Sequence, residues 1–319
     1  MKILIVCRWH GDHIAAFITE QAETLRALGN EVRFVMAERG GIRGYWQLLR
    51  IIRKAIAEWN PDVIHAHFGI CGFVANLQRK VPVVVTYPGS DVNSNKTRPL
   101  SILSMRLSKY NLLMSKRQLE KVERYVDMSK IAIQPYGVDL KSFPPQEKKD
   151  ARIKMELPLD KKLVLFSSRF VRRPEKDPEL AKAVVALVDK RRREVGLSDV
   201  ELLPLTGGYT KDEMASVMSA VDAALVTSKT EGSPQFTKEV MACRTPIVSV
   251  NVGDVAEQVE GLAGCYIAKT RDVEELAELL EHAIEFGKTK GREQLMSKGL
   301  TNDLVTKRIN QIYKGIIAE

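Results

Sequence analysis

The stretch Asp222–Glu257, DAALVTSKTEGSPQFTKEVMACRTPIVSVNVGDVAE, spells one repeat of an α/β fold. An apolar run ends at Thr227, and the polar loop Glu231-Gly232-Ser233-Pro234 follows. A helix over Pro234–Cys243 then carries a proline in its first turn, where the missing N–H is no loss. Pro246–Val250 is the next strand. Strand, helix and strand in that order predict a right-handed crossover between parallel strands. Gly232 lets the backbone approach a ligand closely. The free amides and positive dipole end of the helix favour acceptor oxygens and negative charge. A sugar phosphate suits such a loop.

The same alternation extends in both directions. Toward the amino terminus it predicts strands at residues 2–7, 31–36, 63–67 and 81–86, with helices over 13–28, 46–59 and near 72–77. The second half offers strands at 162–167, 201–205, 222–227 and 246–250. Its helices are expected over 178–193, from Thr210 with the capping-box spelling Thr210-Lys-Asp-Glu213, over 272–286 and over 303–317. Between the two series, Pro144-Pro145 and the charged run Gln146–Asp150 read as a linker. The chain is therefore expected to be α/β, with two doubly wound Rossmann-like domains facing across a cleft. The expected divisions are 1–146, 147–302, and a terminal helix 303–319 packing back toward the first domain.

Composition narrows the function. At 319 residues with 45% apolar and 28% charged residues, the chain suits two globular domains. No apolar run approaches the roughly 20 residues that span a bilayer. MKILIVCRWH enters a strand with no signal-peptide pattern, so a cytoplasmic location is expected. Cys7, Cys71, Cys243 and Cys265 are scattered, which favours buried thiols over a metal knuckle or disulfide framework. The whole net charge of +9 falls in residues 1–150. Nine Lys and Arg between Lys96 and Lys130 face only Glu120, Glu123 and Asp127 there. That run is either the solvated face of a helix whose core stripe is Ile102, Leu103, Leu107, Leu112 and Leu113, or a patch for an anionic membrane surface. With 6% aromatic residues and no recognition module, nucleic acid is not an expected partner. Gly40, Gly41 and Gly44 lack the dinucleotide-binding spacing, which argues against a nicotinamide oxidoreductase.

Glu231 and Glu239, with seven residues between them, resemble the E-x7-E signature of retaining GT-B glycosyltransferases of the glycosyltransferase-4 type. The neighbouring EGSPQFTKEVMACRTPIVSVNVGDV is similar to their donor-site loop, helix and strand. Weaker likeness extends over the Gly11 turn, DVIHAH at 62–67, TYPGSD at 86–91, YGVD at 136–139 and SRFVRRPEK at 168–176. The resemblance implies transfer of a sugar from a nucleotide-diphosphate donor to a hydroxyl acceptor with retention, and the basic face, if it meets a membrane, suggests a saccharide or lipid-linked acceptor in cell-surface polysaccharide or glycolipid synthesis. It implies that Arg169 and Lys176 clasp the diphosphate, that Glu231 with the amides of Gly232 and Ser233 meets the sugar, and that Glu239 accepts from the ribose. Pro234, Gln235, Gly11 and Tyr209 would complete the nucleotide site. Cations beside the leaving diphosphate remove the need for a metal, and no cofactor is expected.

The acceptor side is less defined. Where many relatives have T-x-H-G, this chain has Tyr87 before Pro88, and Arg244 replaces the usual small residue after Met-Ala-Cys. Asp91, Tyr87 and His67 are the acceptor-side candidates. His65 and His67 alternate at a strand end, so one of them at a time is expected to meet the cleft, and for either a buried, hydrogen-bonded structural histidine is the favoured reading. If Glu231 and Glu239 share a helix they stand about 12 Å apart, beyond the roughly 5–9.5 Å of a hydrolytic carboxylate pair. A nucleotide-sugar 2-epimerase of the same architecture and a non-catalytic sugar-nucleotide-binding protein are the remaining rivals.

Overall fold

The computed structural model describes residues 1–8, 13–37, 41–166, 174–205 and 208–318. The chain forms two compact units, one of Met1–Gly137 with Asn302–Glu319 and the other of Val138–Thr301. The first carries strands β1 (Lys2–Arg8), β2 (Glu31–Ala37), β3 (Val63–His67), β4 (Val83–Tyr87), β5 (Tyr110–Leu113) and β6 (Ile131–Ile133). They form a parallel sheet in the order β2-β1-β3-β4-β5-β6. The second carries β7 (Lys162–Phe166), β8 (Val200–Pro204), β9 (Ala223–Val226), β10 (Ile247–Val250) and β11 (Tyr266–Ala268), parallel in the order β11-β10-β9-β7-β8.

Strand parity builds the first core on both faces of the sheet. Leu4, Val6, Ile64, Ala66, Val83 and Val85 pack against Leu48, Ile52 and Val74 of the helices Gly41–Trp59 and Gly69–Asn76. Ile3, Ile5, Val63 and Val84 face the helix Ala16–Ala27 and the terminal helix Asn302–Ala318, which contributes Val305, Ile309 and Tyr313.

His65 and His67 stand two apart on β3 and so occupy the same face, contrary to the one-at-a-time expectation, and both are the buried, hydrogen-bonded structural histidines that the sequence favours. Their ring centroids are 4.4 Å apart and both side chains are fully buried. His65 lies 2.5 Å from the Tyr313 hydroxyl and 2.7 Å from Thr86 Oγ1. Burial holds the His65 imidazolium pKa down at about 3, and His67 well below its ordinary value for the same reason, with His65 adding to the effect. The unfolded chain takes up these protons near pH 6.5 and the folded chain does not. Stability contributed by the neutral rings is therefore full above about pH 6.5 and is lost as pH falls toward 3. Denaturant titrations should show a loss of about 1 kcal/mol per histidine between pH 6 and 5. A flat profile would mean that these imidazoles are hydrated and protonated in the folded chain.

The basic segment differs from its helical reading. Helix is confined to Arg98–Leu107, the short Lys116–Glu120 and two 3-10 turns, and Leu112 and Leu113 lie on β5. Leu103 and Leu107 are 42% and 46% exposed rather than part of a core stripe. The change of unit also falls earlier than the proline pair. The amide of Val138 donates to Leu300, Phe143 is buried in the second core, and Arg292 donates to the carbonyls of Leu140 and Phe143. The charged run after Pro145 begins a helix, Lys148–Lys154.

Candidate functional site

In an open parallel sheet, ligands gather beyond the carboxyl ends of the strands where the strand order reverses. In the second unit that point lies between β7 and β9. The loop after β7 contains Arg169, which lies outside the described residues together with Gly11 of the first unit. The same loop ends in a turn of 3-10 helix, Pro174–Lys176. The loop after β9 contains Glu231, Gly232 and Ser233 and leads into the helix Gln235–Ala242.

The two loops are tied together. The Lys176 ammonium donates to Glu231 Oε1, and both side chains are only 16% exposed. Thr227 Oγ1 lies 2.8 Å and 2.9 Å from the carbonyls of Lys176 and Asp177, and the Lys229 amide donates to the Glu175 carbonyl. Arg271 bridges the carbonyls of Thr227 and Ser228 to the Asp177 carboxylate, 2.5 Å away. Lys176 thus sits on a turn pinned to the end of β9. The pairing with Glu231 brings together two of the sequence-selected residues.

Glu231 precedes the helix instead of lying on it, because Pro234 is the N-cap and Gln235 the first helical residue. The 12 Å helical spacing therefore does not apply to the Glu231–Glu239 pair. Glu239 occupies the second turn, half-buried. Gly232 is buried, and the left-handed Gly253 (φ +57°) packs onto it. A Cβ at Gly253 would lie 2.8 Å from the Gly232 carbonyl oxygen. Tyr209 is partly buried against the second core, just before the Thr210 capping box.

Lys238, Asp254 and Gln258 were not selected from the sequence, yet they underlie this loop. Lys238 is fully buried, and its ammonium donates to Ser233 Oγ at 3.0 Å. Gln258 Nε2 donates to the same oxygen at 3.3 Å and to Asp254 Oδ1 at 2.7 Å. The Ser233 hydroxyl in turn donates to Asp254. Thr237 Oγ1 lies 2.6 Å from Gln258 Oε1 and 2.8 Å from the Pro234 carbonyl. Burial lowers the Lys238 pKa to about 8, against the raising effect of Asp254 and Glu239. Burial also raises the Asp254 carboxyl, against the lowering effect of Lys238.

In the first unit the strand order reverses between β1 and β3, and Asp91 stands near the ends of β1, β3 and β4. It lines a cavity of about 300 Å³ with Arg8, Tyr45, Phe68 and Thr97. Asp91 Oδ1 accepts from the Gly69 amide at 2.9 Å, while Oδ2 is buried with no hydrogen-bond partner among the described residues. Burial raises this carboxyl, and the Arg8 guanidinium works in the opposite direction. His67 Nδ1 lies 2.6 Å from the Tyr136 hydroxyl, and its Nε2 is buried without a partner among the described residues. Tyr87 contradicts its acceptor-side assignment. It is fully buried, with its hydroxyl donating toward Ser104 at 3.2 Å and Asn111 at 3.1 Å. At the last residue of β4 the parity of the strand turns it into the core. Among the described residues no group of His, Cys, Asp or Glu could hold a metal ion, and no helix is long and apolar enough to cross a membrane.

Residues 13–142 match the family described as Glycosyltransferase Family 4, and residues 161–285 match Glycosyl transferases group 1. A D-inositol 3-phosphate glycosyltransferase of Saccharomonospora viridis is 26% identical over 267 residues, covering 69% of this chain and 61% of that protein. The chain spans 60–64% of the length of the first curated relatives it matches. A sucrose-phosphate synthase from Thermosynechococcus elongatus superposes with a TM-score of 0.80 at 20% identity, over 100% of both chains. Anabaena HepE in complex with UDP and glucose gives 0.76 at 15% identity, over 99% of this chain and 100% of that one. At these identities the structures speak to the fold, which is GT-B. The two family matches fall one on each unit, and each takes in most of its unit's sheet: the chain belongs to the family 4, group 1 glycosyltransferases.

Proposed function

We propose that the chain is a retaining glycosyltransferase that uses a nucleotide-diphosphate sugar. The Lys176–Glu231 pair at the strand-order reversal of the second unit carries this reading, because it joins a cation and a carboxylate at one ligand-binding point. Lys176 and Arg169 would offset the charge that develops on the departing diphosphate, which removes the need for a metal or other cofactor. Glu231 would turn to the sugar hydroxyls beside the amides of Gly232 and Ser233. Glu239 would accept from the ribose, with Pro234, Gln235, Tyr209 and Gly11 around the nucleotide. The acceptor would occupy the first unit's cavity, where the unsatisfied Asp91 oxygen suits a hydroxyl donor.

The bond from the anomeric carbon to the phosphate oxygen breaks, and its electrons leave with the diphosphate. The acceptor oxygen attacks the same face, and its proton passes to the departing phosphate oxygen. HepE, solved with UDP-glucose, supports the donor class by likeness of fold. A saccharide or lipid-linked acceptor in cell-surface polysaccharide or glycolipid synthesis, at the inner face of a membrane, fits the exposed Leu103, Leu107, Tyr125 and Met128 among the basic residues 96–130.

Thermal unfolding with UDP, GDP, ADP and dTDP and their glucose conjugates tests the donor. One nucleotide at 100 times its Kd should add about 2.7 kcal/mol, and its sugar conjugate should release free nucleoside diphosphate. No stabilisation by any of them, with no diphosphate released, overturns the reading.

A further inference from the structure

The Ser233 hydroxyl accepts from Lys238 and Gln258 and donates to Asp254, which uses all of its bonding capacity. Only the backbone of Ser233 is left for a ligand. Its side chain instead serves as a handle by which groups beneath the loop hold that backbone in place. Burying a lysine and an aspartate to make such a handle is unfavourable unless the charges are paired and hydrogen-bonded. Hydrophobic residues of the same volume would serve stability as well. The pair therefore calls for a purpose other than stability.

We propose that Lys238 and Asp254 are positioning residues, two buried opposite charges joined through the Ser233 hydroxyl, which aim the Gly232–Ser233 amides at the donor. The inference rests on the donor-site reading above. It extends that reading from the residues that touch the donor to those that set the loop. Three further contacts restrict the same loop. Gln258 is held by Thr237, Thr237 lies within hydrogen-bond distance of the Pro234 carbonyl, and Gly253 packs on Gly232. The charged groups bearing on Lys238 are Asp254 and Glu239, and Glu257 bears in turn on Asp254. Protonated Lys238 also places a positive charge beneath amides that would meet an anion. As pH rises through about 8 that charge is lost, Asp254 remains unpaired, and nucleotide binding should weaken.

The test titrates UDP, GDP, ADP and dTDP by calorimetry into the wild type, Lys238→Met, Asp254→Asn, the double variant and Ser233→Ala. The single charge variants should lose stability, because each leaves its partner buried and uncompensated, and the double variant should recover most of it. Positioning predicts that the double variant nevertheless binds the preferred nucleotide at least tenfold more weakly. It also predicts that the fall in wild-type affinity between pH 7 and 9 is absent in the double variant. Ser233→Ala, which keeps the pair and removes the handle, should match that loss of affinity, and it provides the same test if the charge variants do not fold. A double variant that recovers both stability and wild-type affinity, or a Ser233→Ala variant that binds normally, overturns the positioning role and leaves the donor site standing. Absence of nucleotide binding by the wild type overturns both.

Discussion

Lys176→Ala is expected to lower kcat with the preferred donor by about 10²–10³, the effect of removing one well-placed stabilising donor from a transition state. The largest negative charge on the donor phosphates develops as the glycosidic bond breaks, so a cation beside them acts more strongly on the transition state than on the bound donor. KM should therefore move less than kcat. The turn that carries Lys176 is fixed by Thr227, Lys229 and Arg271 through its backbone and Asp177, not through the ammonium. Truncating the side chain should therefore leave the turn in place and the stability nearly unchanged. Glu231→Gln separates the partner's role. It removes the carboxylate that pairs with Lys176 but keeps an acceptor for a sugar hydroxyl, so its loss should be smaller than that of Glu231→Ala. Steady-state kinetics on the three variants decide the matter. A Lys176→Ala enzyme within threefold of wild type in kcat would remove Lys176 from the chemistry.

The buried apolar strands and the donor loop are readable because their signal is local. β3 and β7 declare themselves as short branched runs between helices, and Thr210-Lys-Asp-Glu213 forms the capping box that its letters spell. Failures came where the deciding contact is distant in sequence. β5, β6 and β11 have only three or four residues each and lack the adjoining loop-and-helix pattern that marks the equally short β9 and β10. Leu112 and Leu113 consequently read as a continuation of the helix before them. Lys148–Lys154 looked like linker because five of its seven residues are charged, and its fixed point, Arg152, lies against Asp222, seventy positions later. Within the site, the spacing of Glu231 and Glu239 marked the loop. Lys238 gives no signal, since Asp254 and Gln258, which meet it at Ser233, lie beyond an intervening strand. Tyr87 illustrates the opposite error. A motif position pointed it at a ligand, while strand parity, equally visible in the sequence, pointed it into the core.

Asp222→Ala is expected to destabilise the second unit by about 3–5 kcal/mol, the loss incurred when one partner of a buried pair is removed. Asp222 opens the loop into β9 and is 3% exposed at its side chain. Its Oδ2 accepts from Arg152 at 2.7 Å and from the Leu163 amide at 2.8 Å, and its Oδ1 accepts from Lys148 at 2.8 Å. Arg152, itself 5% exposed, also donates to the carbonyls of Ala220, Pro158 and Lys161. The carboxylate therefore fastens the helix Lys148–Lys154 and the start of β7 to the entry of β9. Without it the guanidinium stays buried and charged, because arginine does not escape by losing its proton. Asp222→Asn should lose less, since its amide oxygen still accepts from Leu163. Arg152→Met with Asp222→Leu should recover part of the loss by removing both charges. Differential scanning calorimetry should place the Asp222→Ala transition of this unit roughly 6–20 °C lower, at about 2–4 °C per kcal/mol for a domain of this size. If Asp222→Ala and Asp222→Asn unfold within 2 °C of wild type, the pair is already hydrated, and the helix is held by its apolar contacts alone.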